Sequence, residues 1–237
     1  MHRSIEPAIL YVGTPVVLVS TLNPDGSTNL APISSLWFLG WSAVLGFDAS
    51  SQTPRNLQRT GECVLNLPSA DQVAHVDRLA LLTGRRDLPV HKRLLGYRHE
   101  QDKFGASGLT PMAAELVQPP RVRECPIQLE ATLEHVRPLG ERDPRMGVPA
   151  LAIEVRIRRV HVEEDLLVEN EPQRIDPERW QPLLMSFRQF YARGPRLSSS
   201  RLAAGPESRY APASAQLKAG LRTLIAQAKE ALDLDVT

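Results

Sequence analysis

Short apolar runs alternate with turn residues along the first third of the chain, a pattern typical of successive β-strands. A turn of Asn, Pro, Asp and Gly at residues 23–26 separates the first two runs. Strands are predicted at residues 16–20, 29–35, 43–47 and 63–67. Residues 16–19 have no polar face, which predicts a strand covered by a core on one side and by a helix or a partner subunit on the other.

A second β-rich stretch begins after residue 120. Apolar and polar residues alternate with a period of two across residues 127–134 and again across 151–157, so each strand is expected to bury one face. The parity changes across Arg158 and Arg159, which predicts a β-bulge or a bend between two strands. The pattern as a whole predicts a mainly β fold with flanking helices.

Helix signals lie between and after these strands. Thr53 can cap a short helix with Pro54 at its first position and Gly61 after its end. Ser69 can cap a second helix and Asp176 a third.

The C-terminal region predicts one more helix, with Ser214 as its cap and an apolar stripe that includes Leu217, Leu221 and Leu224. We expect a single domain over residues 1–237, with a helical and loop insertion at about 69–118 and a C-terminal extension at about 172–237.

Composition narrows the class of protein. The 237 residues carry a net charge of +1 and only 5% aromatic residues, which argues against nucleic-acid and membrane-surface binding. No apolar run reaches the length of a signal peptide or a membrane span, so we expect a cytoplasmic protein. Cys63 and Cys125 are either reduced core thiols, as cytoplasmic proteins have, or a disulfide.

A hydroxyl-rich cluster directly precedes the first predicted helix. Exposed N–H groups and the helix dipole favour an anion at such a position, so these residues are candidates for phosphate binding. The alternative is a polar loop with a capping threonine. The cluster comprises Ser50, Ser51, Gln52 and Thr53.

Small residues end the strand at 29–35, where they would let a flat ring approach the backbone. The alternative is an ordinary strand end. The two clusters lie about twenty residues apart with one strand between them, so together they favour a cradle for a phosphorylated planar ligand. The candidates here are Asn29, Leu30, Ala31, Pro32, Ser34 and Ser35.

The sequence lacks the motifs of metal sites, hydrolases and Rossmann-type dinucleotide-binding domains. The histidines and cysteines form no HExxH, HxH or CxxC pattern, so we predict no metal site. GxSxG and GxGxxG are absent, so the hydrolase and Rossmann classes lack support and no catalytic side chain is assigned. Residues 187–201 are basic and aromatic. They are either a nucleotide clamp that uses Arg193 or Arg196, or a solvated basic loop.

The order of segments "NLAPISS", "SSQTPRN", "ECVLNL" and "RVRECPIQLEATLEHV" resembles the flavin reductase-like proteins and flavoredoxins, over residues 11–162. The resemblance implies an FMN-binding, Greek-key-like split β-barrel in which the first segment lines the flavin ring and the second binds ribityl and phosphate. Many members carry Lys-Asp-Thr where this chain has Ser51, Gln52 and Thr53. We therefore expect Arg55, Arg59 or an arginine of a partner chain to replace the lysine.

The resemblance also implies function. It implies non-covalent FMN, NADH or NADPH as co-substrate, and hydride transfer to flavin by an NAD(P)H-dependent flavin reductase. It further implies a homodimer with FMN near the interface and a partner monooxygenase or redox protein. Two alternatives stay open: a non-enzymatic FMN-binding electron carrier, and a split barrel that has lost its cofactor.

Overall fold

The computed structural model describes residues 1–205 and Tyr210, and the predicted helix after Ser214 lies outside these residues. The chain divides into two compact units, residues 1–193 and 194–237. The four α-helices are α1 Gln52–Thr60, α2 Val73–Leu79, α3 Val90–Leu94 and α4 Lys103–Ser107, and 3₁₀ turns span Ala70–Gln72, Glu164–Leu166 and Arg201–Ala204. The strands are β1 Thr14–Pro15, β2 Val17–Leu22, β3 Thr28–Ile33, β4 Leu36–Leu39, β5 Ser42–Asp48, β6 Glu62–Leu67, β7 Leu82–Thr83, β8 Arg98–His99, β9 Pro111–Met112, β10 Arg121–Val122, β11 Ile127–Leu139, β12 Ala150–Val162, β13 Leu167–Val168, β14 Glu171–Ile175, β15 Leu183–Ser186 and β16 Gln189–Ala192.

One antiparallel sheet of seven strands, in the order β3-β2-β6-β11-β12-β5-β4, dominates the first unit. A flat sheet of seven strands would be roughly 29 Å wide, since neighbouring strands lie about 4.8 Å apart. Yet its two edge strands, β3 and β4, are joined by Ser34 and Ser35 alone. The three Cα–Cα steps from Ile33 to Leu36 span roughly 11 Å at most. The sheet therefore curls until its edges approach each other, as a barrel does.

Two apolar clusters lie on opposite faces of this sheet. Val17 and Val19 of β2 belong to the cluster inside the barrel. Leu18, the residue between them, packs in a second cluster with Val76 of α2 and Phe104 of α4. The doubly apolar strand that the sequence indicated is therefore covered by helices of the same chain, so it gives no support to a dimer.

The parity change in the long strands is a β-bulge. Glu130 pairs with Arg159 and Ala131 with Ile157, so Arg158 is the extra residue. β12 continues through it without a break. The sequence pattern predicts that the polar face of β11 is exposed to solvent. In the structure, Glu130 on that face is fully buried. Its carboxylate accepts hydrogen bonds from two backbone N–H groups and contacts His161 at 2.6 Å.

Two helix predictions were wrong in position or kind. α1 begins at Gln52 with Ser51 as its N-cap, two residues earlier than a Thr53 cap implies. The Thr53 hydroxyl instead accepts a hydrogen bond from Asn29. Asp176 begins a turn rather than a helix. Gly61 does end α1, in the left-handed conformation that glycine favours.

The segment before β1 is fixed between the barrel and a small sheet. β1 pairs with β15, which forms a hairpin with β16. The backbone carbonyl of Tyr11 accepts from the Phe187 N–H at 2.8 Å. Within the described part of the chain, no helix is long and apolar enough to cross a membrane.

Candidate functional site

A cavity of about 150 Å³ lies between the barrel and the insertion at residues 69–118. What we call the strand wall is built by the ends of β3 and β5 and the start of α1: Asn29, Ala31, Pro32, Ile33, Phe47, Asp48, Ser51, Gln52 and Thr53. The facing insertion wall is Leu79, Ala80, Leu82, Thr83, Gly84, Lys92, Tyr97 and Lys103.

The start of α1 forms one end of the strand wall. The first N–H groups of a helix lack partners within the helix, and the aligned peptide dipoles make that end positive. Gln52 and Thr53 are the first residues of α1, and no acidic residue lies in its first turn. This end of the cavity therefore favours an anionic ligand.

Lys92 brings a cation from α3 to the same end. Its Nζ donates to the Ser51 Oγ at 2.6 Å and lies 3.4 Å from the Asp48 Oδ2. His91 Nε2 is 3.0 Å from that same oxygen. Partial burial opposes ionisation of Asp48, but hydrogen bonds from Ser50 and His91 and the charge of Lys92 lower its pKa to about 2. Asp48 thus holds Lys92 against the start of α1.

Lys103, the first residue of α4, is a second cavity lysine with fewer partners. It is 2% exposed, and its Nζ donates one long hydrogen bond of 3.4 Å to the Leu82 carbonyl. Burial, together with the charge of Lys92, lowers the pKa of Lys103 to about 7, although Glu100 opposes the shift. An ammonium has three donor hydrogens, so Lys103 has donor capacity left for a ligand.

Asn29 places an unused acceptor beside the cavity. Its Nδ2 donates to Thr21 and Thr53, at 3.2 and 2.9 Å, while its buried Oδ1 has no partner. Gly84 lies opposite, and a Cβ there would come within 2.5 Å of that oxygen and 3.3 Å of the Gln52 Cγ. Buried acceptors are normally satisfied, so this oxygen is a candidate to accept from a ligand N–H or O–H, and only glycine at position 84 avoids a clash with it.

Six of the ten candidate residues line the cavity: Asn29, Ala31, Pro32, Ser51, Gln52 and Thr53. Leu30 does not, because strand alternation directs it into the second apolar cluster.

The other three serines are engaged outside the cavity lining. Ser34 and Ser35 both hydrogen-bond the Tyr11 hydroxyl, at 2.8 and 2.6 Å. The Ser50 hydroxyl donates to Asp48, and the Ser50 carbonyl accepts from Arg85 at 2.8 Å. These serines fix loops around the site rather than face the cavity.

The structure does not bring to the cavity either of the two arginines of this chain that were expected to replace the missing lysine. Arg55 is exposed, and the Arg59 guanidinium donates to the Leu22 carbonyl at 2.5 Å; neither lines the cavity. Lys92 supplies the cation from a segment more than thirty residues further along the chain. Sequence reasoning missed it and Lys103 because the insertion shows no clear periodicity; their one signal is that lysine is rare in this chain.

In the basic segment, residues 187–201, Arg193 and Arg196 were the candidates for a nucleotide clamp. Arg193 is engaged by Glu178, with 3.3 Å between Nη2 and Oε2, which favours a structural role over a nucleotide clamp. Arg196 belongs to the second unit and has a partner of its own.

Among the described residues, no group of three or more His, Cys, Asp or Glu is placed to hold a metal ion.

A family model described as "Flavin reductase like domain" matches residues 10–193. The chain belongs to this family. It is 36% identical over 192 residues to the uncharacterized protein YdfE of Bacillus subtilis (strain 168), across 81% of this chain and 89% of that protein. The match contains the whole cavity and the insertion.

Solved structures share the fold of this flavin reductase-like chain. Flavoredoxin of Desulfovibrio vulgaris (Miyazaki F) gives a TM-score of 0.68 at 24% identity, over 86% of this chain and all of that chain. Nitrilotriacetate monooxygenase component B from Bacillus cereus gives 0.66 at 20% identity, over 84% and 100%. A split barrel domain from Shewanella frigidimarina NCIMB 400 gives 0.61 at 19% identity, over 79% and 85%. The fold is therefore the expected split barrel with flanking helices, and family membership supports flavin binding.

Proposed function

We propose that the cavity binds the phosphate end of non-covalent FMN and that the protein is an NAD(P)H-dependent flavin reductase. The observation that carries this proposal is the meeting of three anion-binding features in one cavity of a flavin reductase-like chain. These are the start of α1, the hydroxyls of Ser51 and Thr53, and the ammonium of Lys92. Charge-assisted hydrogen bonds of this kind suit a phosphate.

The residues present fit the remainder of the cofactor as well. Asn29 Oδ1 is a buried acceptor without a partner, which a polar edge of a flavin would satisfy. Ala31 and Pro32 are small enough for a flat ring to lie against the backbone. Lys92, which hydrogen-bonds Ser51, supplies a cation in place of the lysine that many family members carry, so we do not favour the alternative of a split barrel that has lost its cofactor.

The size of the cavity supports a homodimer. Pockets that hold a whole ligand measure roughly 300–1,000 Å³, whereas one chain encloses about 150 Å³ here. We propose that a second copy completes the site. The edge strand β4 offers a surface for it, because Trp37 and Leu39 are 56% and 73% exposed there.

Bound FMN would accept a hydride from NADH or NADPH, which is chemistry that the cofactor supplies. The residues of this chain would hold the phosphate, orient the ring and exclude water, and we assign none of them as an acid or base. The reduced flavin would serve a partner monooxygenase or redox protein. A cytoplasmic location is part of the proposal, and the free thiols of Cys63 and Cys125, in separate clusters, agree with it.

Anaerobic mixing of the FMN-loaded protein with NADH and with NADPH tests the activity. If the protein is a flavin reductase, the absorbance of the oxidised flavin should disappear soon after mixing with millimolar NADH or NADPH. Bound flavin that stays oxidised with both nucleotides would instead identify an electron carrier, which waits for a partner protein. A protein that retains no flavin after gel filtration would contradict both functions.

A further inference from the structure

The two lysines of the insertion wall differ in how their charge is balanced. Lys92 has a carboxylate partner, with 3.4 Å between its Nζ and the Asp48 Oδ2. Lys103 has no ion pair among the described residues, and its one acceptor is the Leu82 carbonyl at 3.4 Å. The preceding residue, Asp102, caps α4 by accepting a hydrogen bond from the Gly105 N–H at 2.8 Å and forms no ion pair with Lys103. A charge on Lys103 is therefore poorly compensated in the protein alone.

The use of lysine rather than arginine at the two basic positions of the cavity is informative, because lysine is rare in this sequence. The chain has 4 lysines against 24 arginines. The two lysines that fall in the described residues both line this cavity. Arginine stays charged at all accessible pH values, whereas a buried lysine can lose its proton. The cavity thus carries two basic side chains of the kind whose charge can respond to a ligand, and of these Lys92 already has a carboxylate partner.

We infer that Lys103 takes up a proton from solvent when a phosphorylated ligand binds in the cavity, so that anion binding and protonation of this lysine are coupled. The inference rests on the proposed function, since it assigns a role toward the phosphate of FMN. The bound dianion supplies the negative charge that Lys103 lacks. The protonated ammonium then donates to it, and the ligand is selected for its phosphate.

The surrounding charges favour this behaviour. Burial and the neighbouring charge of Lys92 bring the pKa of Lys103 to about 7, while Glu100 acts in the opposite direction. Asp48 faces the same cavity but is held by Lys92 and His91. Burial and Asp48 raise the pKa of Tyr97 above its ordinary value of 10, so Tyr97 does not titrate near neutral pH.

The test measures FMN affinity and proton uptake between pH 7.5 and 9, above the second ionisation of a phosphate monoester near pH 6. Isothermal titration calorimetry in two buffers of different ionisation enthalpy gives the number of protons taken up. We expect wild type to take up close to one proton at pH 8.5. Its dissociation constant should rise by up to about tenfold per pH unit.

Lys103→Met removes the titrating group, and Lys92→Met is the matched control because it removes the cavity lysine that has a partner. Lys103→Met should abolish proton uptake and flatten the pH dependence, with affinity about ten- to a hundredfold weaker at pH 7.5. Lys92→Met should weaken binding but retain proton uptake, with the rise in the dissociation constant beginning at a higher pH because the charge of Lys92 no longer lowers the pKa of Lys103.

Wild-type binding of FMN without proton uptake overturns the inference and leaves the proposed function intact. Equal proton uptake by Lys103→Met and wild type would also overturn the inference and leave the proposed function intact. If wild type binds no FMN at all, the proposed function and the inference both fail. The wild-type calorimetry decides even where a variant fails to fold.

Discussion

The two walls of the cavity are built from different kinds of structure and supply different chemistry. The strand wall belongs to the barrel and provides the start of α1 and the hydroxyls of Ser51 and Thr53, while its Asp48 holds Lys92 in place. The insertion wall consists of short helices and loops and provides both lysines and the close approach of Gly84. The barrel thus offers geometry for an anion, and the insertion offers the charge. We therefore expect substitutions on the strand wall and on the insertion wall to have different effects on FMN binding and on stability.

The largest effect is expected on the strand wall. Ser51→Ala combined with Thr53→Ala removes two donors, each worth roughly 1.5–3 kcal/mol toward a charged group. FMN affinity, measured by fluorescence quenching, should fall about a hundredfold or more. Thr60→Ala is the control, because its hydroxyl bonds the Asn56 carbonyl at the other end of α1. Unchanged affinity in the double variant would move the phosphate site elsewhere.

Gly84→Ala tests the close approach of the two walls. Its Cβ would lie 2.5 Å from the Asn29 Oδ1, and Asn29 is held by Thr21 and Thr53. Displacing a packed side chain costs about 1–3 kcal/mol, so the free energy of unfolding should fall by about that amount. FMN affinity should fall as well, because Asn29 and Gln52 would be pushed out of their positions in the cavity wall. Gly147→Ala is the control, since no atom lies within 4 Å of its added Cβ. Equal affinity in both variants would show that the ligand does not use the space beside Gly84.

The barrel could be predicted from sequence far better than the insertion, for physical reasons. Strand alternation and turn chemistry are local signals, so β2, β3, β5 and β6 and the bulge at Arg158 follow from periodicity. α3 and α4 have only five residues each and are stabilised by packing rather than by a periodic apolar face. Their lysines reach the cavity through tertiary contacts that no local pattern records.

Lys103→Met should stabilise the protein without ligand. The pKa of Lys103 falls from 10.5 in an exposed lysine to about 7 here, so the unfolded chain binds more protons between these values. The free energy of unfolding should therefore rise with pH across that window, and the full penalty, roughly 3–5 kcal/mol, applies below pH 7. Thermal melts should show the variant more stable at pH 7, with a smaller gain toward pH 9. A variant that is less stable at pH 7 would contradict a buried, uncompensated charge.

The smallest effect is expected away from both walls. Arg193→Ala removes a partly exposed ion pair with Glu178, which is worth about 0.2–1 kcal/mol. The melting temperature should fall slightly, while FMN affinity and the Michaelis constant for NAD(P)H stay at wild-type values. A raised Michaelis constant would restore the nucleotide clamp that the basic segment first suggested.

The most direct test of the account compares FMN with riboflavin, which has the same ring and ribityl chain but no phosphate. Each is titrated into wild-type protein at pH 7.5, with flavin fluorescence and co-elution on gel filtration as readouts. The account predicts that FMN is retained and binds at least about a hundredfold more tightly, because the phosphate alone engages α1, Ser51 and Lys92. Equal affinity for the two flavins, or no binding of either, would contradict a phosphate site in this cavity.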